Sequence, residues 1–223
     1  VTDFDFTLTS ALFIDNKVYL GTKEFGVLKA MSNQINSYEE IHPEGPLFND
    51  VFSIAVKDNN LWVVYGGYNI TYTPQQVKKG FSHFNGENWK NTQFNSSLPN
   101  DLVDITIDPE IENKVYISAL GITNNINLAP TGGLFVVEND VLTESYNHLN
   151  SSFEPNTVSL PSINIRVSTS VFDSQGNLWA TNYETNRELN KRTSSGQWSS
   201  VDLRDVKTTA SAGLSEMVID RNN

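Results

Sequence analysis

The chain has 223 residues, 38% of them hydrophobic and 11% aromatic, with 26 acidic side chains against 15 basic and a formal charge of -11. A chain of this length buries roughly 70–75% of its unfolded surface, enough for a sizeable core, and its aromatic content excludes a disordered tail. The acid excess excludes nucleic acid as a partner, since phosphate binding needs clustered Lys and Arg. With Cys at 0 there are no disulfides or thiolate metal sites, and no run approaches the ~20 apolar residues of a membrane span.

Along the chain one order of events recurs four times. A short alternating strand ends in Asp or Asn and a tight turn, and a second strand then opens on an aliphatic–aromatic pair. The first copy is Phe13-Ile14-Asp15-Asn16-Lys17-Val18-Tyr19 and the second is Val56-Lys57-Asp58-Asn59-Asn60-Leu61-Trp62. The third runs from Ile105 through Asp108 to Val115-Tyr116, and the fourth is Val171-Phe172-Asp173-Ser174-Gln175-Gly176-Asn177-Leu178-Trp179. A fifth begins at Met217-Val218-Ile219-Asp220. Each of the four complete anchors is followed by a second hairpin, at 26–41, 80–94, 133–149 and 189–203. Asn85-Gly86 is the clearest hairpin signal, because both residues accept the positive φ of a type I′ turn.

Four strands per unit, with anchors at Val18, Leu61, Val115 and Leu178 spaced 43, 54 and 63 residues apart, make the blade of a β-propeller. The reading is all-β, with four-stranded blades at 4–41, 48–94, 101–149 and 163–203 and the first strand of a further blade at 212–220. A β-sandwich also has many short strands, but recurrence in one register argues for blades. Propellers close with about four to eight blades, so the expectation is an arc of a larger ring of about seven. Val1 in place of Met fits a piece of a larger polypeptide.

The anchor of Asp, turn, Gly or Asn, Leu-Trp and Thr, followed by Gly with Leu or Val, resembles the two-component-regulator propeller repeat. The match is nearest at 173–181 and recurs at 17–22 with Gly26-Val27. That repeat builds periplasmic sensors of hybrid two-component systems and the PorZ-type propellers of Bacteroidetes type IX secretion, to which the later segments are more similar. The resemblance implies a non-enzymatic binding or scaffold propeller, exported to the periplasm or outer-membrane surface, that assists attachment of cargo to surface lipopolysaccharide. It implies no cofactor, and a glycan, lipopolysaccharide or protein partner. Its alternative is a periplasmic propeller that senses an oligosaccharide. Long loops at 65–80 and 120–132 depart from the compact blade of the family.

Those loops carry the candidate site. The connection after the second strand is long in three consecutive blades, at 65–74, 120–131 and 182–187, and in a propeller it always leaves on the same face. Tyr68, Tyr72 and Tyr183 offer flat stacking surfaces; Asn124, Asn125, Asn182 and Asn186 offer amides, and Arg187 offers a cation. That mixture suits a glycan or an extended peptide. Other groups are assigned structural parts. Trp62 and Trp179 are expected in the inter-blade core, and Asp58, Asp108, Asp173 and Asp220 are expected to cap turns, one carboxylate per turn being too few for calcium. His42, His83 and His148 are expected as solvated residues rather than metal ligands. Asp3 with Asp5, Glu39 with Glu40 and Asp101 with Asp104 can be read as glycosidase acid and base but are expected to be solvated strand ends.

Overall fold

The structure is a computed structural model describing residues 6–23, 25–34, 37–41, 44–95, 98–121, 131–156, 164–203, 205–206 and 213–220. The chain divides between Gly45 and Pro46 into two compact units. In the first, β1 (Leu8–Ile14), β2 (Lys17–Thr22), β3 (Val27–Met31) and β4 (Tyr38–Ile41) form one antiparallel sheet in chain order. Asp15 and Asn16 take φ of 49° and 57°, the left-handed pair of a type I′ turn, and so set Ile14 opposite Lys17. Leu28 and Ala30 alternate onto one buried face of this sheet.

The second unit holds three further antiparallel sheets, each again in chain order. One comprises β5 (Ser53–Lys57), β6 (Asn60–Val64), β7 (Phe81–Phe84) and β8 (Trp89–Thr92). The next comprises β9 (Leu102–Ile107), β10 (Lys114–Ala119), β11 (Thr131–Glu138) and β12 (Val141–Tyr146), with the short β13 (Asn164–Ile165) pairing in parallel with the start of β11. The last comprises β14 (Val167–Phe172), β15 (Leu178–Asn182), β16 (Leu189–Arg192) and β17 (Trp198–Val201). No helix occurs among the described residues, and the four sheets are the blades of a propeller segment. Of the further strand expected at 212–220, the described residues 213–220 join no ladder. An extended segment becomes a strand only when a neighbour takes up its N–H and C=O groups.

Alternation along the second strand of each blade builds the core. Trp62 and Val64 face one way from β6 and meet Leu102, Ile105, Val115, Ile117 and Ala119 in a buried layer. Tyr116, one residue past Val115, points the other way into a second layer with Leu134, Val136, Val167, Leu178 and Ala180. The middle blade is therefore buried on both faces. Trp62, Tyr116 and Trp179 occupy equivalent register positions; Trp62 and Tyr116 face the next blade in the chain, and Trp179 faces away from the preceding one. Among the described residues no further sheet covers that face of this blade, so Trp179 is only half-buried and is not the core residue expected. Its indole N–H donates to Asp173 Oδ2 at 2.8 Å, and Lys191 Nζ lies 4.9 Å from its ring.

The recurring aspartates cap turns in two blades. Asp108 Oδ1 accepts from the N–H groups of Glu110 and Ile111, both at 2.9 Å, while Asp173 Oδ1 accepts from Gln175 at 3.0 Å and Asn177 at 2.9 Å. Asp58 instead enters its turn at φ 52°. Burial opposes ionisation of Asp173, but the donors of Asn177, Trp179 and Gln175 outweigh it and hold the carboxyl at about 2. His83 departs from the solvated position expected. It is buried, stacks 3.9 Å from Trp62, and sets Nδ1 2.7 Å from Asp140 Oδ1 and Nε2 2.9 Å from Asn60 Oδ1. Its imidazole thus ties the hairpin tip of one blade to the next. His42 lies outside the described residues.

Two outcomes follow from this packing. Trp62→Ala should cost about 3–5 kcal/mol in denaturant titration, the usual loss for a buried aromatic, whereas Trp179→Ala should cost about 1–2 kcal/mol. Equal losses would place both rings in core. The Asp173 carboxylate should stabilise the fold above pH 4 and lose that contribution as pH falls from about 4 towards 2, because its folded pKa lies below the unfolded value. Urea midpoints of wild type and Asp173→Asn should therefore differ at pH 6 and converge near pH 2. A constant gap would show that the carboxylate's charge is not what holds the turn.

Candidate functional site

The connection from β6 to β7 is held at both ends before any side chain reaches solvent. At its start the Gly66 N–H donates to Leu102 O at 2.9 Å, and a Cβ at Gly66 would lie 2.1 Å from that oxygen, so only glycine allows the approach. At its far end Asp101 is fully buried and accepts from the N–H groups of Gln76 and Val77, each at 2.8 Å. Its own N–H donates to Val77 O at 2.9 Å. Burial raises the Asp101 carboxyl above the usual range, and the donors of Val77 and Gln76 pull part of the way back. The loop of one blade is thus clamped to the entry of the next blade's first strand. Asp101 is not a solvated strand end.

Between the clamps the chain folds on Asn69. Tyr68 and Pro74 form an antiparallel bridge, and Asn69 Oδ1 accepts from Thr71 N at 2.9 Å, Thr71 Oγ1 at 2.7 Å and Thr73 N at 3.0 Å. Tyr72 N–H donates to Asn69 O at 2.8 Å while Tyr72 itself sits at φ 57°. That conformation strains a bulky side chain and persists only where surrounding bonds impose it. Its effect is to place the Tyr72 ring in a row. Phe52 meets Tyr68 edge-on at 4.9 Å, Tyr68 meets Tyr72 at 4.9 Å, and Tyr72 meets Tyr183 at 6.2 Å. Val103 and Leu120 form the apolar floor beneath Tyr68 and Tyr183.

The structure therefore brings together the three tyrosines singled out in the sequence, but with unequal exposure. Tyr72 is 37% exposed and Ile70 at the loop tip is 97% exposed, whereas Tyr183 is 7% exposed and Tyr68 is half-buried. Tyr72 is the one open platform; the other two rings are its walls. Gly213 seats directly on Tyr183, where an added Cβ would come within 2.1 Å of Cε2. Arg187 stands apart from the row, its N–H donating to Glu154 Oε2 at 3.3 Å and its Nε 3.8 Å from Glu154 Oε1. Asn182 is not an open amide. It is fully buried, accepts from Glu154 N at 2.6 Å and donates to Arg166 O at 3.1 Å. Asn124 and Asn125 lie outside the described residues.

Carboxylates surround the row. Asp104 Oδ2 accepts from Thr169 Oγ1 at 2.8 Å and Ser170 N at 3.3 Å, and burial raises its carboxyl above the usual range despite these donors. Glu188 is fully buried and accepts from Leu214 N at 3.3 Å. Arg166 pairs with Glu184, whose Oε2 also accepts from Asn156 Nδ2 at 2.7 Å. Burial raises the Tyr68 and Tyr183 phenols, and neighbouring charge adds to it: Glu216 and Asp104 act on Tyr68, and Glu184 and Glu188 act on Tyr183. Phe52 and Glu216 carried no signal in the sequence, and Asp101 with Asp104 read only as a solvated carboxylate pair. Their proximity depends on strands and loops of different blades.

With this geometry established, the chain can be set beside known proteins. No family model matches it, and no curated protein matches it. Among solved structures it is similar to PorZ, described as an essential bacterial surface component of the type IX secretion system of Porphyromonas gingivalis. The TM-score is 0.65 at 20% identity, over 93% of this chain and 27% of PorZ. The chain folds like a segment of PorZ. A weaker likeness, with TM-score 0.45 at 13% identity, is to an extracellular domain assigned to the hybrid two-component system BT4673 of B. thetaiotaomicron. It covers 96% of this chain and 24% of that one. The chain thus spans about a quarter of the length of each.

The clamp can be tested by Asp101→Gly, which tolerates the φ of 52° but removes both acceptors. It should lower stability by about 1–3 kcal/mol and speed amide exchange at Gln76 and Val77 about tenfold relative to Val63. Unchanged exchange at those two amides would show that the loop is held elsewhere.

Proposed function

We propose that this chain is part of a non-enzymatic binding or scaffold propeller of an exported bacterial protein. Its working surface is the tyrosine row, and its partner is a glycan, a surface lipopolysaccharide or an extended segment of another protein. One observation carries the reading: Tyr72 is kept at φ 57° by the Asn69 bonds, with its ring open to solvent between Tyr68 and Tyr183. Folding alone would be better served there by glycine or asparagine, so the strain is accounted for by what the ring contacts. Asp101 and Asp104, the carboxylates nearest the loop clamp, are occupied by backbone and hydroxyl donors, which favours binding over hydrolysis. The likeness to a segment of a secretion-system surface component supports export and a larger polypeptide. Attachment of cargo to lipopolysaccharide is the specific form of this function that the repeat suggests.

The cleanest probe is Tyr72→Gly, because glycine relieves the backbone while deleting the platform. Melting should shift little, by about 0.5 kcal/mol or less. Binding in a glycan array or lipopolysaccharide pull-down should weaken about threefold to tenfold, the worth of one stacked ring. Undiminished binding by the variant would remove the tyrosine row from the binding surface.

A further inference from the structure

We infer that the tyrosine row takes a cationic ligand, the lysine or arginine side chain of an extended peptide segment. This rests on the row being a binding surface and, of the partners proposed for it, selects the peptide segment over anionic lipopolysaccharide. Glu184 follows Tyr183 in the chain, Glu188 accepts from Leu214 N at 3.3 Å beside the Gly213 that seats on the Tyr183 ring, and Asp104 follows the floor residue Val103. With Glu216 these four carboxylates act on the Tyr68 and Tyr183 rings against the single guanidinium of Arg166. That guanidinium and Glu184 neutralise one another as an ion pair, which leaves the other three carboxylates to set the sign. The local field is therefore negative, in keeping with the chain's formal charge of -11, which steers cations towards it and anionic sugars or phosphates away.

The remaining geometry suits the same ligand. An aromatic face carries negative quadrupole charge and attracts an ammonium or guanidinium placed over it. Tyr72 presents such a face at 37% exposure, with Ile70 at the loop tip 97% exposed beside it in the chain. Ile70 offers apolar surface to the methylene stem of a lysine, whose charged head stays in water near a carboxylate. Glu216 is the exposed carboxylate of the four and the one open to pair with that head.

The test is fluorescence anisotropy of a disordered lysine–glycine peptide against the 223-residue chain, beside the same peptide with every lysine acetylated. The lysine peptide should bind, and acetylation should abolish binding. Tyr72→Gly and Glu216→Gln should each weaken binding about threefold, the range of one exposed cation–π contact or ion pair. Glu110→Gln, an exposed carboxylate in the β9–β10 turn at the opposite end of β9, should leave it unchanged. Equal binding of the acetylated peptide would overturn the inference, as would an equal effect of Glu110→Gln, which would mean diffuse attraction to an acidic protein. A neutral oligosaccharide that loses affinity to Tyr72→Gly, while the lysine peptide fails to bind, would overturn the cationic assignment and leave the binding surface intact. Failure of both probes would remove the surface as well.

Discussion

The two-sided burial of the middle blade is the constraint on which the second unit depends. Val115 and Tyr116 are adjacent in β10 yet belong to different apolar layers, one shared with Trp62 and the other with Leu178 and Ala180. A strand can do this because successive side chains leave opposite faces of the sheet. Slipping the pairing by one residue would exchange the two layers and put both partners out of register. The tight Asp-containing turns guard against such a slip by setting where each second strand begins. His83, wedged between Asp140, Asn60 and the Trp62 ring, adds a polar lock to the same interface.

The candidate site inherits its geometry from that interface. Loop 65–80 leaves one blade but is anchored on the next, through Gly66 against Leu102 and Asp101 against Gln76 and Val77. Any shift between these blades would pull the clamp apart and carry Tyr72 away from Tyr183, which begins the β15–β16 connection of the last blade. A buried carboxylate is an expensive anchor, and here its cost is offset in part by two short charge-assisted bonds, while its own N–H adds a backbone bond to Val77. The strained backbone of Tyr72 is supported in turn by Asn69, whose side chain replaces water for three donors. Rigidity of this kind lowers the entropy lost when a partner binds.

The same arrangement explains why equivalent residues have unequal parts. Trp62 and Trp179 hold the same register position, but a neighbouring sheet covers only the first. Tyr68, Tyr72 and Tyr183 are chemically alike, yet the floor of Val103 and Leu120 makes two of them walls and leaves one as a platform. Residue type set what each could do; the neighbour on its open side decided what it does.

The repeat of strand, Asp or Asn turn and aliphatic–aromatic anchor was enough to read an all-β chain of four-stranded blades, because turn chemistry and alternation are local properties of a few consecutive residues. The convergence of Tyr68, Tyr72 and Tyr183 was legible for a related reason: in each blade the second connection emerges at the same end. Burial was not legible, since it depends on what lies across from a residue rather than beside it in the chain. Asp101 and His83 read as solvated groups and are internal, while Trp179 read as core and is half-open. The run at 212–220 read as a strand, but strand formation requires a ladder partner, which the segment does not itself specify, and its described residues 213–220 join none. Sequence determined the elements and the face on which the tyrosines gather. Only the packing of one blade on the next decided which carboxylates are buried, which ring is open and where charge collects, because those are properties of contacts between residues far apart in the chain.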